Sequence, residues 1–186
     1  MMPALSYRPD FLQQARADSL LESLLESIPW EQHSVRLFGK SVPCPRLSAW
    51  HGDPGARYAY SGTRHDPQPW TPDLLAVRDA LTGVGPRPFN SVLLNRYRTG
   101  QDSMGWHADD EPELGPDPVI ASVSLGARRK MRFRLKADHR QTHELWLDHG
   151  SLLIMREDCQ RLWQHALPKS RKIAEERINL TYRLIL

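Results

Sequence analysis

Cysteine is scarce in this chain. Cys44 and Cys159 are the only two in 186 residues, too few and too far apart for a disulfide framework or a CxxC zinc site, so both are expected as free thiols. Long apolar runs are missing as well. No stretch approaches the roughly 20 residues that cross a bilayer, and the opening Met1–Arg8 lacks the apolar core of a signal peptide. These absences argue against a disulfide-stapled secreted scaffold and a helical membrane protein. The expectation is a location inside the cell, cytoplasmic in a bacterium or nuclear in a eukaryote, with no membrane partner. A large charge excess is also lacking: the net charge of +3 is mild, so where the charges lie says more than their sum. Nor is there an internal repeat, a low-complexity segment or a linker. What is present is an ordinary globular composition, 40% apolar and 25% charged, in a length that suits one domain with a real core. Residues 1–186 are therefore read as a single domain, expected to be monomeric.

Two helices are predicted in the first part of the chain. Ser19–Ile28 carries apolar residues at helical spacing and stops at Pro29. The second has Thr71 as N-cap, Pro72 in the first turn, and Leu74, Leu75, Leu81 and Val84 along one side, with Gly83 and Gly85-Pro86 ending it. Residues 31–70, rich in Pro, Gly and aromatics, read as short strands and loops. After residue 88 the pattern becomes all strand, near 91–97, 104–109, 119–125, 129–136, 143–148, 151–155, 162–167 and 177–185, with a turn at Asp148-His149-Gly150. Eight short strands preceded by helices imply an α+β, mainly β fold: a jelly roll or barrel with the helices packed on one sheet.

The chemistry is concentrated in a few positions. His107 and Asp109 are two apart, so on one strand they share a face. His165, from a distant strand, completes a two-histidine, one-carboxylate set, which leaves coordination positions open and is the usual holder of reactive non-haem Fe(II). HxD alone occurs often by chance, and its bland reading is a pair of surface polar residues beside a core histidine. The closing strand shifts that balance. Arg177, Asn179, Thr181 and Arg183 fall on one face and Ile178, Leu180, Tyr182 and Leu184 on the other. Two arginines on one face of an apolar-backed strand beside a buried metal are costly without an anionic partner. A small dicarboxylate meets that need, since a guanidinium fork grips a carboxylate through paired hydrogen bonds. Metal plus dicarboxylate suggests an oxygenase that consumes a 2-oxo acid. Asn95 and Tyr97, sharing a face just upstream, can add neutral hydrogen bonds to it.

The remaining histidines compete poorly. His139 and His143 lie in a polar loop, His149 in a turn, and His33, His51 and His65 have no supporting carboxylate pattern. A zinc hydrolase stays a distant alternative, because nothing in zinc hydrolysis calls for the paired arginines. One further strand is half core and half cation: Arg128, Lys130, Arg132, Arg134 and Lys136 alternate with Met131, Phe133 and Leu135. The bland reading is an edge strand guarded by charge. Five cations without an interleaved acid exceed that need, and with the second basic loop, Lys169, Arg171 and Lys172, they suit phosphate contacts to nucleic acid.

At these residues the chain resembles the AlkB family of Fe(II)- and 2-oxoglutarate-dependent dioxygenases, particularly the branch that repairs alkylated bases in DNA. The match runs from about Leu37 to Leu186. It rests on Leu37-Phe38-Gly39-Lys40, Pro45-Arg46, Tyr58-Ala59-Tyr60-Ser61-Gly62, Phe89 to Tyr97, His107-Ala108-Asp109-Asp110-Glu111, Ile120 to Gly126, His149 to Leu153 and Arg177 to Arg183.

The resemblance implies a double-stranded β-helix core over 89–186, behind an N-terminal helical and nucleotide-recognition region over 1–88. It makes His107, Asp109 and His165 the iron ligands and assigns Asn95, Tyr97, Arg177, Asn179 and Arg183 to 2-oxoglutarate, with Arg177 on the distal carboxylate. Tyr60 would stack on a flipped base opposite His107, with Tyr58, Asp110 and Glu111 beside it and the acids favouring a cationic lesion. Leu37-Phe38-Gly39 matches a hydrophobic finger pushed into the base stack; Arg46, Arg171 and Lys172 join it as DNA contacts, while Ser170 stands where a basic residue is expected. The implied reaction is oxidative demethylation of 1-methyladenine- or 3-methylcytosine-type bases, using Fe(II), 2-oxoglutarate and O2 and releasing formaldehyde, succinate and CO2. The same chemistry on methylated RNA, single-stranded DNA or a protein side chain stays open, as does a catalytically silent nucleic-acid binding module.

Overall fold

The computed structural model describes residues 2–37, 39–60 and 63–186. In chain order the elements are β1 (Leu5–Arg8), α1 (Gln14–Ser27), β2 (Ser34–Leu37), β3 (Lys40–Pro43), β4 (Leu47–Gly52), β5 (Tyr58–Tyr60), β6 (Thr63–His65) and α2 (Pro72–Ala80). From there nearly everything is strand: β7 (Ser91–Tyr97), β8 (Met104–His107), β9 (Ile120–Gly126), β10 (Arg129–Leu135), β11 (Thr142–Leu147), β12 (Ser151–Met155), the one-turn α3 (Cys159–Leu162), β13 (Trp163–Leu167) and β14 (Arg177–Arg183).

Two antiparallel sheets form the body. The larger has the order β1-β12-β9-β14-β7-β4 and the smaller β11-β10-β13-β8, while β2-β3 and β5-β6 are separate hairpins. One apolar core lies between the larger sheet and the helices, with Leu20, Leu24, Leu74 and Val77 against Val92, Leu94, Val123, Ile178, Leu180 and Tyr182. A second joins Ile120, Leu153 and Met155 to Met131, Phe133, Leu135 and Trp163 of the smaller sheet. This is the expected jelly roll with helices on one sheet. β14 is buried at every residue because it has apolar packing on one face and the intersheet space on the other.

Helix α1 begins at Gln14, five residues before the expected Ser19. Its first turn contributes only Ala17 to the core, too weak an apolar signal to mark the start, although no residue there opposes a helix. Helix α2 starts as expected: Thr71 Oγ1 accepts from Leu74 N–H at 3.3 Å, with Pro72 following. It ends at Ala80, yet Leu81 and Val84 remain buried in the turn beyond. Asp73 ties the helices together, accepting from Arg16 at 3.0 Å and from Ser23 at 2.6 Å. Strand β1 was not anticipated. It is a four-residue edge strand, too short for its alternation to register in sequence, and it pairs with β12. Cys44 and Cys159 are buried free thiols, as expected, and burial pushes the Cys159 thiol up to about 12.

Candidate active site

His107 is the last residue of β8, and its register partner on β13 is His165. The two rings lie 4.2 Å apart between centroids, inclined at 58°. The expected strand 104–109 stops at His107, so Asp109 does not share a strand face with it. Asp109 arrives from the segment beyond the strand. Its N–H, which no ladder partner takes, donates to Gln160 Oε1 at 2.9 Å, and its carboxylate accepts from Arg183. His165 Nε2 lies 3.7 Å from Asp109 Oδ2, and one ligand atom from each of the three residues falls within 4.8 Å of the others. His107 Nδ1 sits 2.9 Å from the Gly105 carbonyl, an arrangement that places the proton on Nδ1 and leaves Nε2 as a lone-pair donor.

The electrostatics suit a cation. Burial alone would raise the Asp109 pKa, but the Arg183 guanidinium, by its charge and its hydrogen bond, does most to overcome it and hold the carboxyl below the usual range. Burial, helped by the neighbouring His107, lowers His165 to about 3, so its ring is neutral and able to ligate.

The same cavity holds every residue assigned to a cosubstrate: Asn95 and Tyr97 of β7, and Arg177, Asn179 and Arg183 of β14, together with Ser122, Thr181 and the triad. Register explains this, since Arg177 faces Tyr97 and Asn179 faces Asn95 across the β14–β7 ladder. Arg177 is 1% exposed. Its Nη2 donates to Ser124 Oγ at 2.9 Å and its guanidinium lies 5.3 Å from the Tyr97 ring centre, while Nε and Nη1 have no hydrogen-bond partner. Burial lowers its pKa to about 10; Tyr97 opposes the shift and Arg129 adds to it. A buried arginine with two open donors and no carboxylate beside it is set up for an anion. Asn179 Nδ2 donates to Ser122 Oγ at 2.9 Å and Asn95 Oδ1 accepts from Arg46 at 3.1 Å. Arg183 lines the cavity, but its paired group is Asp109, so it links the metal-type cluster to the cosubstrate face.

The sequence profile of the 2OG-Fe(II) oxygenase superfamily matches residues 4–183. The chain is 40% identical to DNA oxidative demethylase ALKBH2 of Homo sapiens over 93% of its own length and 70% of that protein. The chain belongs to the AlkB family. Similarity to ALKBH2 of Mus musculus is 42% over 93% of this chain and 77% of that protein. Similarity to alpha-ketoglutarate-dependent dioxygenase alkB homolog 3 of Rattus norvegicus is 39% over 95% of this chain, which spans 62% of that relative's length. The solved structure of OsALKBH1 shares the fold, with a TM-score of 0.72 at 18% identity over 98% of this chain and 99% of that one.

The residues that the AlkB resemblance assigned to the substrate divide into several groups. Phe38 lies outside the described residues, as do the side chains of Leu37, Tyr58 and Tyr60. Gly39 follows Phe38 in the loop joining β2 to β3, where its φ of +78° calls for glycine. That hairpin pairs with neither large sheet, and β3 is exposed throughout. Asp110 is engaged by Lys136 at 2.8 Å; Glu111, half-buried, leads into a short 3₁₀ turn over Pro112–Leu114. Arg46, expected to contact DNA, is only 8% exposed and donates to Asn95 and, at 3.4 Å, to the Ser103 carbonyl. It is a buried strut of a cavity of about 200 Å³ shared with Trp50, Asp66 and Asn95 rather than a surface cation. Arg171 and Lys172 are exposed in the β13–β14 loop. Gly100 packs directly on the Ser170 carbonyl in that loop, where a Cβ would collide with backbone.

The ridge of Arg128 to Lys136 is not bare, as the sequence suggested. Acids distant in sequence meet it: Glu144 takes Lys130 at 2.6 Å and Arg132 at 2.9 Å, Asp148 takes Arg128 at 2.6 Å, and Asp110 takes Lys136. Sequence reasoning also passed over Arg129, concealed in an Arg-Arg-Lys run. It is 1% exposed, and its guanidinium donates to the carbonyls of Thr99, Asp102 and Pro168, pinning both loops beside the cavity. Ser122 and Ser124 were missed too; their signal was alternation within β9, next to the arginine face of β14.

Proposed function

We propose that the protein removes N-methyl groups from 1-methyladenine- and 3-methylcytosine-type bases in DNA, consuming 2-oxoglutarate and O2. The observation that carries this reading is Arg177: a buried guanidinium with two unpartnered nitrogens, in the same cavity as His107, Asp109 and His165. The demethylase names of relatives at about 40% identity support the substrate.

The residues fit Fe(II): two imidazoles, one neutral by burial and the other with Nε2 free to ligate, beside an ionised carboxylate. When bound, Fe(II) with 2-oxoglutarate and O2 supplies the oxidation that turns an N-methyl carbon into formaldehyde, while 2-oxoglutarate becomes succinate and CO2. The chain contributes position and electrostatics. Arg177 would hold the distal carboxylate of 2-oxoglutarate, Tyr97 and Asn179 line the same cavity, and Arg183 keeps Asp109 ionised. Tyr58, Tyr60, Asp110 and Glu111 are the proposed base-pocket residues, and the free β2–β3 hairpin with Arg171 and Lys172 the proposed duplex contacts. Extrusion of the base is required because the methylated nitrogen lies on the pairing edge, and a lesion that cannot pair costs less to extrude.

The test is product release from matched single- and double-stranded oligonucleotides bearing one 3-methylcytosine. Formaldehyde and succinate in equal amounts are expected, dependent on added Fe(II). Succinate without formaldehyde would move the chemistry to another substrate, and absence of both would overturn the reading.

A further inference from the structure

Trp146 is 43% exposed and is the only aromatic among the exposed large hydrophobic side chains of the described residues. It stands on β11, an edge strand, facing out from the smaller sheet. Charged side chains are one of the devices that protect an edge strand, and an exposed tryptophan there weakens the protection. The ring is held in place: the Arg128 guanidinium lies 5.0 Å and the Lys130 ammonium 5.2 Å from its centre. Beside it runs a groove of about 280 Å³, lined by Lys130, Arg132, Glu144, Trp146, Lys169 and Ser170. Glu144 is shared between Lys130 and Arg132, and Asp148 serves Arg128. Of the groove's lining residues Arg129, Lys130, Arg132 and Lys169 are basic and Glu144 is the one acid, and the exposed Arg171 and Lys172 follow Lys169 in the same β13–β14 loop.

We infer that this groove binds a stretch of nucleic-acid strand outside the lesion-bearing nucleotide, with Trp146 packing on a base or sugar and Lys130 and Lys169 on phosphates. An exposed aromatic among cations is the combination that holds single strands without reading sequence: the ring supplies stacking and the cations track the backbone. The cation–π contacts keep the ring upright at the groove edge before any strand arrives, so less side-chain freedom is lost on binding. This inference rests on the proposed nucleic-acid substrate, but its test needs no turnover.

Binding of a fluorescein-labelled, unmodified 20-nucleotide single strand is measured by anisotropy for the wild-type protein and for Trp146→Ala, Trp146→Phe and Lys169→Ala. Trp146→Ala is expected to weaken binding about tenfold, with most of the affinity kept in Trp146→Phe. Lys169→Ala is expected to lower the salt dependence by about one counterion. Demethylation of a 3-methylcytosine trinucleotide, which carries little strand beyond the lesion, should be unchanged in Trp146→Ala. Wild-type affinity in both Trp146→Ala and Lys169→Ala overturns the inference, even if demethylation is confirmed. Displacement of poly-glutamate from wild-type protein but not from Trp146→Ala, with oligonucleotide affinity unaltered, would assign the groove to an acidic protein partner and also overturn it. If neither substrate is demethylated while Trp146→Ala still loses oligonucleotide affinity, the groove stands and the proposed reaction fails.

Discussion

The two faces of β14 share one backbone and do opposite things. Ile178, Leu180 and Tyr182 enter the core beneath the helices, where each buried aliphatic side chain contributes about 1.5–3 kcal/mol. Arg177, Asn179, Thr181 and Arg183 enter the cavity, and there Arg177 has no carboxylate to offset its desolvation. The apolar face stabilises the strand strongly enough for the polar face to hold a configuration that water would otherwise relax. Tyr182 sharpens the contrast: even its hydroxyl is turned away from the cavity, donating to the Leu74 carbonyl of α2 at 2.8 Å.

Substitutions on each side test that division. Asp109→Ala, on the cavity side, should eliminate Fe(II)-dependent product formation altogether. It also leaves Arg183 buried without its carboxylate, a loss of about 3–5 kcal/mol in stability by denaturant titration. Binding of unmodified DNA should persist, and retained demethylation would remove Asp109 from the metal set. Arg177→Met should raise the 2-oxoglutarate requirement by about 30-fold or more, since the buried partner of the cosubstrate carboxylate is gone. Without cosubstrate the same variant should be more stable than wild type by about 1–4 kcal/mol, because an unpaired buried cation has become a packed apolar chain. A drop in stability there would mean that Arg177 is structural. On the helix side, Leu180→Ala should cost about 2–5 kcal/mol in unfolding free energy yet leave the 2-oxoglutarate requirement of the folded protein unchanged. A shift in that requirement would show that the two faces are coupled.

How much of this was legible in the sequence follows the same division. Strands 91–97 and 151–155 match the structure at both ends because the apolar runs Val92-Leu93-Leu94 and Leu152 to Met155 mark buried strands. The polar face of β14 was legible because two arginines at the ends of one alternating face of an apolar-backed strand have few structural explanations. Asp109 was singled out by its neighbours, though the reason given was wrong: it reaches the cluster from outside the strand, through Gln160 and Arg183, two partners that no local pattern reveals. The ridge over Arg128 to Lys136 was misjudged for the same reason, since Glu144 and Asp148 meet it only after β10 and β11 pair. Arg46 looks like a phosphate contact by type, and only the β4–β7 ladder, which sets Leu47 and Ser48 against Arg96 and Asn95, carries it inward. Alternation is written in the chain, whereas the partners of a charged group are decided by strands far apart in it.

The smallest expected effect lies furthest from β14. The β2–β3 hairpin pairs with neither large sheet, and its register sets Leu37 against Lys40, with Gly39 in the connecting loop. The AlkB resemblance gives Phe38 the role of filling the gap left by an extruded base, a function needed in a duplex and unnecessary in a single strand, where no stack must be kept open. Phe38→Ala should therefore lower demethylation of duplex 3-methylcytosine by about tenfold while leaving single-strand activity near wild type. An equal effect on both substrates, or none on either, would confine Phe38 to packing and leave the contrast between the faces of β14 to carry the chemistry without a duplex-opening device.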